Sequence, residues 1–252
     1  MAHIDYKDGY YDGEVSLGRP HGKGFFTWYN GAMYRGEFKW GELHGQGEFH
    51  YEDGSRYQGG FRDSNRSGYG VYYFTNGNKY DGEWVLNMQG GKGTFYFANG
   101  ERYVGDFVAN YFCGHGVFYY KNGDIYKGYW KKDKRNGRGV LYSANAKIYE
   151  GDWKDDLKHG YGIAYYSSGN KYEGDWVQNV RHGYGKAYFK DGSRYEGEWR
   201  NHEKNGYGIA YFASGNRYEG YWKDGLKHGK GTYFYPDGTV DKGEWINDIK
   251  KQ

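Results

Sequence analysis

The stretch Lys171–Gly185 reads "KYEGDWVQNVRHGYG", and 23 residues earlier Ile148–Gly162 reads "IYEGDWKDDLKHGYG". With the tyrosine of "YEGDW" as repeat position 1, tyrosine recurs at 11, 34, 57, 80, 103, 126, 149, 172, 195 and 218, always 23 residues apart. An eleventh copy opens as "DKGEW" at Asp241 and stops. Position 3 is glycine in all eleven copies, and positions 12 and 14 are glycine in all ten full ones. Position 21 is glycine in nine, with Ala146 the exception, and position 5 is aromatic in ten, with Val15 the exception. A fixed period of this length marks a repeat architecture in which each unit packs on its neighbours. Of the 46 glycines, 40 stand at these four positions, so glycine here is periodic punctuation and not a flexible linker.

Two punctuation marks divide each repeat. Positions 19–21 read "ANG", "KDG", "SSG" or "PDG", the chemistry of a hairpin turn. Positions 7–14 end in "HGYG", "NGRG" or "HGKG" and read as a second turn, with His182-Gly183 turning the corner in the quoted copy. Strands of about five or six residues fit between them, and helical periodicity is absent. Each repeat is therefore expected to be one β-hairpin. Pro236 at position 19 suits the first corner of a type I turn. This favours a three-residue loop Lys190–Gly192, which sets Ala187 opposite Tyr195 and Gly174 opposite Gly162. One face of the sheet then carries Tyr172, Gly174, Trp176, Gly185, Ala187 and Phe189; the other carries Lys171, Glu173, Asp175 and Tyr188. Some twenty strands at ~4.8 Å give a twisted, single-layer, elongated all-β stack of roughly 95 Å. The organisation expected is an N-terminal cap at 1–10, ten repeats over 11–240 as one continuous domain, and a partial repeat with a C-terminal cap at 241–252.

Composition agrees. Aromatic residues make up 22% of the chain, with 33 tyrosines, and must supply the buried surface that sparse aliphatics do not. The net charge of +3 carries no global nucleic-acid signature. It is unevenly spread: 12 Lys+Arg against 15 Asp+Glu in 1–125, and 23 against 17 in 126–252. One cysteine, Cys113, excludes an internal disulfide framework. The start "MAHIDYKDGYYDG" has no apolar signal core, and no stretch approaches the ~18 apolar residues of a membrane span. The expectation is a soluble, intracellular protein.

No motif rises to catalysis. Acidic pairs at positions 2 and 4, such as Glu150/Asp152 and Glu196/Glu198, recur in similar surroundings, whereas acid–base chemistry needs two unlike carboxylates at one site. Histidines at position 11 (His21, His44, His159, His182, His228) are spaced by two strands, ~9–10 Å, too far apart to share one metal. They read as turn residues. "GGKGT" and "HGKGT" lack the Gly-Lys-Ser/Thr order of a phosphate loop, and Cys113 has no steady base beside it. No catalytic residue, metal or cofactor is expected.

The pattern "YEGDW…HGYG…SGNKY" resembles the MORN repeat (membrane occupation and recognition nexus) over almost the whole chain. The resemblance implies a hairpin-stacked scaffold that binds and does not catalyse. It also implies settings such as membrane junctions, ciliary radial spokes and protist cytoskeletal scaffolds.

Two surfaces are candidates for binding. The aromatic face, with Tyr126, Trp130, Tyr149, Trp153, Tyr172, Trp176, Tyr195, Trp199, Tyr218 and Trp222, belongs to a one-layer sheet and is expected to need a cover: a partner peptide, a helix or a second copy as in a homodimer. Position 10 is always basic in the second half, at Arg135, Lys158, Arg181, Lys204 and Lys227. Those five cations form a candidate edge for anionic phospholipid or an acidic partner. The leading expectation is a protein-interaction scaffold in a cytoskeletal or ciliary/flagellar assembly. The alternative is a module that binds anionic phospholipid and tethers membrane to cytoskeleton. Nucleic acid is not an expected partner.

Overall fold

A computed structural model describes all residues, 1–252. Every regular element is a β-strand. Two compact units divide the chain: residues 1–125 with 130–133, and residues 126–129 with 134–252. In the first, strands from Ala2–Tyr6 to Tyr111–Tyr119 pair antiparallel, each with the next in sequence. In the second the same holds from Lys134–Ser143 to Ile249–Lys250. Both are all-β sheets of stacked hairpins, and neither closes into a barrel.

The expected register holds. Ala187 lies opposite Tyr195 and Gly162 opposite Gly174. The loop between the two strands is a type I turn closed by Gly192 N–H on Phe189 C=O (3.0 Å). Gly192 stands at φ 88°, a conformation that side-chain-bearing residues rarely adopt. Pro236 occupies the first corner of the equivalent turn, where Gly238 N–H bonds Tyr235 C=O at 3.1 Å. The one repeat without glycine at position 21 solves the turn differently. Ala144 and Asn145 take φ 47° and 65°, a tighter two-residue turn, and the register slips after Leu141 so that Leu141 still meets Tyr149.

The second turn is elsewhere than the sequence suggests. The reversal occurs at positions 7–8, where Gln178 (φ 50°) and Asn179 (φ 70°) form a two-residue type I′ turn and Val177 faces Val180. His182-Gly183 does not turn a corner; it lies inside the nine-residue strand Val180–Tyr188. Gly183, at φ 66°, there makes a bulge that shifts the register between Gly174 and Trp176. The strands are accordingly longer than five or six residues, at seven (Lys171–Val177) and nine. Glycine attracted the turn assignment because it is the permissive residue; the true turns use Asp-Asp, Gln-Asn and Asn-His, whose signal is weaker.

The bulge explains the position 4 acids. Asp175 Oδ2 accepts the bulge amide of Tyr184 at 2.9 Å, and Glu198 Oε1 accepts that of Tyr207 at 2.9 Å. These carboxylates satisfy backbone donors that the bulge removes from the ladder.

The buried layer is aromatic. Tyr172 is fully buried and donates its hydroxyl to Asp175 C=O at 3.1 Å. Its ring spans Gly174 and Gly185: a methyl at Gly185 would overlap the phenol, and one at Gly174 would meet the Gly185 Cα and the Tyr184 carbonyl first and the phenol hydroxyl next. Trp176 and Trp199 meet the ring edge-on at 5.1 and 5.3 Å. Each indole N–H is satisfied by the position 14 glycine of the repeat before it: Trp176 by Gly162 C=O (3.2 Å) and Trp199 by Gly185 C=O (3.1 Å). Burying such a ring contributes about 2–3 kcal/mol, and each edge-on pair roughly 0.5–1.5 more.

The two turns predict substitutions of opposite sign. Gln178→Gly relieves a left-handed backbone and should stabilise the repeat by about 0.5 kcal/mol. Gly192→Ala introduces the same strain and should destabilise it by about 1 kcal/mol. Denaturant unfolding of both variants beside wild type checks the pair of signs.

Candidate interaction surfaces

The aromatic face is closed by the protein itself. Tyr126, Tyr149, Tyr172, Tyr195 and Tyr218 are 0% exposed, and Trp130, Trp153, Trp176, Trp199 and Trp222 only 2–6%. These ten rings are the core, so none offers a free surface to a partner. The cover anticipated from outside comes from the position 10 side chains. Arg135 lies over Trp153 (4.2 Å from the ring centre), Lys158 over Trp176 (4.9 Å), Arg181 over Trp199 (4.5 Å), Lys204 over Trp222 (4.6 Å) and Lys227 over Trp245 (4.5 Å).

The five cations therefore do not line up as an outward edge. All are half-buried, folded across the sheet as lids on the next repeat's indole. Arg135 and Arg181 also donate to the carbonyls of Asp156 (2.9 Å) and His202 (2.8 Å). Burial pushes the ammonium groups of Lys158 and Lys204 below the usual lysine range. In the first unit the same slot holds Leu43, Gln89 and Phe112, all buried. The slot selects for a side chain that covers a ring, and Lys and Arg do so with their stems.

The position 11 histidines gather no metal site, since no group of three His, Cys, Asp or Glu converges. His21 lies tilted against Trp40 at 4.6 Å between ring centres, and His44 lies 3.8 Å from the Asp63 carboxylate. Cys113 is a free thiol, half-buried.

The opposite face carries what the sequence reading passed over. Position 13 is tyrosine at Tyr161, Tyr184 and Tyr207, which are 44, 51 and 43% exposed. Each donates its hydroxyl to the position 2 carboxylate of the next repeat: Tyr161 to Glu173 (2.7 Å), Tyr184 to Glu196 (3.0 Å) and Tyr207 to Glu219 (3.3 Å). Tyr69 and Asp81 make the same pair in the first unit. The Tyr161 bond, acting with Lys171, holds the Glu173 carboxyl below the usual range, and the carboxylate raises the Tyr161 phenol to about 12. Beside this row Lys171 and Arg194 sit over the rings of Tyr188 (4.2 Å) and Tyr211 (3.9 Å). A signal existed in the sequence: tyrosine at position 13 is followed twelve residues later by an acid in every instance.

A model of the MORN repeat matches residues 11–33, 34–56, 57–79, 80–102, 103–125, 126–146, 149–171, 172–194, 195–217 and 218–240. The chain belongs to the MORN-repeat family. The sixth match ends at 146, where the turn lacks its glycine. MORN repeats serve in general as scaffolds that contact proteins or membranes. A search of curated proteins finds no match. Among solved structures, the TCP10 domain of Danio rerio CPAP in complex with a STIL peptide is similar at a TM-score of 0.44 and 10% identity, over 90% of this chain and 96% of that one. The TCP domain of Drosophila melanogaster SAS-4 with an Ana2 motif gives 0.37 at 14% identity, over 62% and 84%. Both are too remote to bear on what this MORN chain does.

If position 10 is a lid, its charge is dispensable and its stem is not. Lys158→Leu should keep stability within about 1 kcal/mol of wild type, whereas Lys158→Glu should lower it by roughly 2 kcal/mol by burying an anion against ring faces. Thermal unfolding of the two variants separates a lid from a solvated edge.

Proposed function

We propose that the chain is a protein-interaction scaffold of a cytoskeletal or ciliary/flagellar assembly, docking its partner on the exposed tyrosine row of repeats seven to nine. The observation that carries this reading is the exposure of Tyr161, Tyr184 and Tyr207 at one position of successive repeats, beside Tyr221 at 52%. Tyrosine gives a rigid, amphipathic contact at low entropic cost and is enriched among residues that dominate interface energy. The bonds to Glu173, Glu196 and Glu219 hold the rings in place before a partner arrives. A phospholipid tether through Arg135, Lys158, Arg181, Lys204 and Lys227 is the weaker reading, because a headgroup would have to draw these cations off the indoles they cover.

The triple variant Tyr161→Ser, Tyr184→Ser, Tyr207→Ser removes exposed rings and should keep the melting temperature close to wild type. Affinity capture from the native cell should recover a defined protein with wild type and at least about tenfold less with the variant. Localisation of a tagged copy to cytoskeleton or cilium is the matching expectation. Phosphoinositide vesicles that bind wild type, with no loss of binding in the tyrosine variant, would overturn the reading.

A further inference from the structure

The first unit holds a second surface, independent of the tyrosine row. Positions 16 and 18 there are all aromatic, and their rings form one continuous ladder. Phe49 lies 4.3 Å from Tyr51, Tyr51 lies 5.6 Å from Tyr72, Tyr72 lies 4.6 Å from Phe74 and Phe74 lies 5.7 Å from Phe95. The outer row of this ladder, Trp28, Tyr51, Phe74, Phe97 and Tyr120, stays half-exposed, once per repeat. In the second unit the ladder is cut by Ala164, Ala187 and Ala210 at position 16.

The turns that follow the outer row are acidic in this unit. Glu52, Asp53, Glu101 and Asp124 stand at positions 19–22, against a single cation, Lys121. Amide groups orient three of these carboxylates: Asn30 bonds Glu52, Asn99 bonds Glu101 and Asn122 bonds Asp124, each at 3.0 Å. The corresponding turns of the second unit balance Lys147 and Lys190 against Asp191 and Asp237.

We propose that this ring row binds a proline-rich, basic segment in the polyproline II conformation. Three physical features select that occupant. The first is spacing. Rings recur every two strands, ~9.6 Å, and a polyproline II helix advances ~9.3 Å per three-residue turn. Across the four intervals between the five rings the two drift apart by only about 1.2 Å. An α-helix advances ~10.5 Å per seven residues and drifts by about 3.6 Å, more than a third of a period. The second is phase. In an extended strand every third residue alternates sides, whereas polyproline II keeps every third residue on one side. The third is chemistry. The sheet's backbone groups are spent in its own ladder, so the surface offers ring faces and no main-chain donors. A ligand whose prolines carry no N–H loses nothing there. The acidic turns beside the rings then favour Arg or Lys at the remaining position of each triplet.

The test uses the full chain and the fluorescent peptide (Pro-Pro-Arg)5, with binding read by anisotropy at low and moderate salt. Two controls are (Gly-Ser-Arg)5, with the same charge and period but no preformed helix, and (Pro-Pro-Glu)5. The expected result is binding of (Pro-Pro-Arg)5 with at least about tenfold weaker binding of both controls. Glu52→Gln, Glu101→Gln, Asp124→Asn together should weaken it roughly threefold or more at low salt and less at high salt, with unchanged melting. A nitroxide on the peptide should broaden amide resonances of residues 49–120. Equal binding of (Gly-Ser-Arg)5, no binding at millimolar peptide, or broadening centred on Tyr161, Tyr184 and Tyr207 would overturn the proposal. A negative result with the protein partner still captured through the tyrosine row would leave the scaffold reading standing, so the two fail separately.

Discussion

Everything in this sheet depends on a phenol ring lying flat across two glycines. Tyr172 spans Gly174 on its own strand and Gly185 on the next, and donates its hydroxyl to the carbonyl of Asp175. A single-layer sheet has no second layer to bury its aromatic face, so the rings must lie down instead of standing up. Only glycine permits that, which is why two of the four fixed glycines stand at positions 3 and 14. With the tyrosines flat, Trp176 meets two of them, Tyr149 and Tyr172, edge-on and finds its N–H partner at the carbonyl of Gly162, as Trp199 does at Gly185. The position 10 side chain then closes the layer from above.

This order of dependence explains the odd composition better than any functional demand does. The position 4 acid serves the bulge, the position 12 glycine makes the bulge, and the position 10 cation covers an indole. Residues that look like chemistry in the sequence (paired carboxylates, a histidine beside glycines, a row of lysines and arginines) are mostly used internally. What remains for partners is the material the packing does not consume: the position 13 tyrosines on one face and the position 18 rings at the margin of the other.

Fold class, period, register and the Ala187–Tyr195 pairing were legible because they rest on strong signals: fixed glycines, a turn proline and alternation across strands. The turn at Gln178-Asn179 was not, because left-handed backbone at Asn and Asp leaves a fainter mark than glycine, and Gly183 drew the assignment to itself. The burial of Trp153 or Trp199 was missed for a different reason. Counting layers suggests an open face, and only the reach of Lys158 over Trp176 and of Arg181 over Trp199, each in the next repeat, shows that the chain covers its own rings. The Tyr161–Glu173 bond joins neighbouring repeats, so reading one repeat at a time hides it.

The most direct measurement is a double-mutant cycle between Tyr172→Leu and Gly185→Ala, read by native-state hydrogen exchange at the amides of Lys171–Tyr188, since neighbouring repeats need not unfold together. If the glycine exists to seat the ring, Gly185→Ala destabilises by about 2–3 kcal/mol beside Tyr172 and by well under about 1 kcal/mol beside leucine, so the two changes couple strongly. Additive effects, with the alanine equally damaging in both backgrounds, would contradict the account.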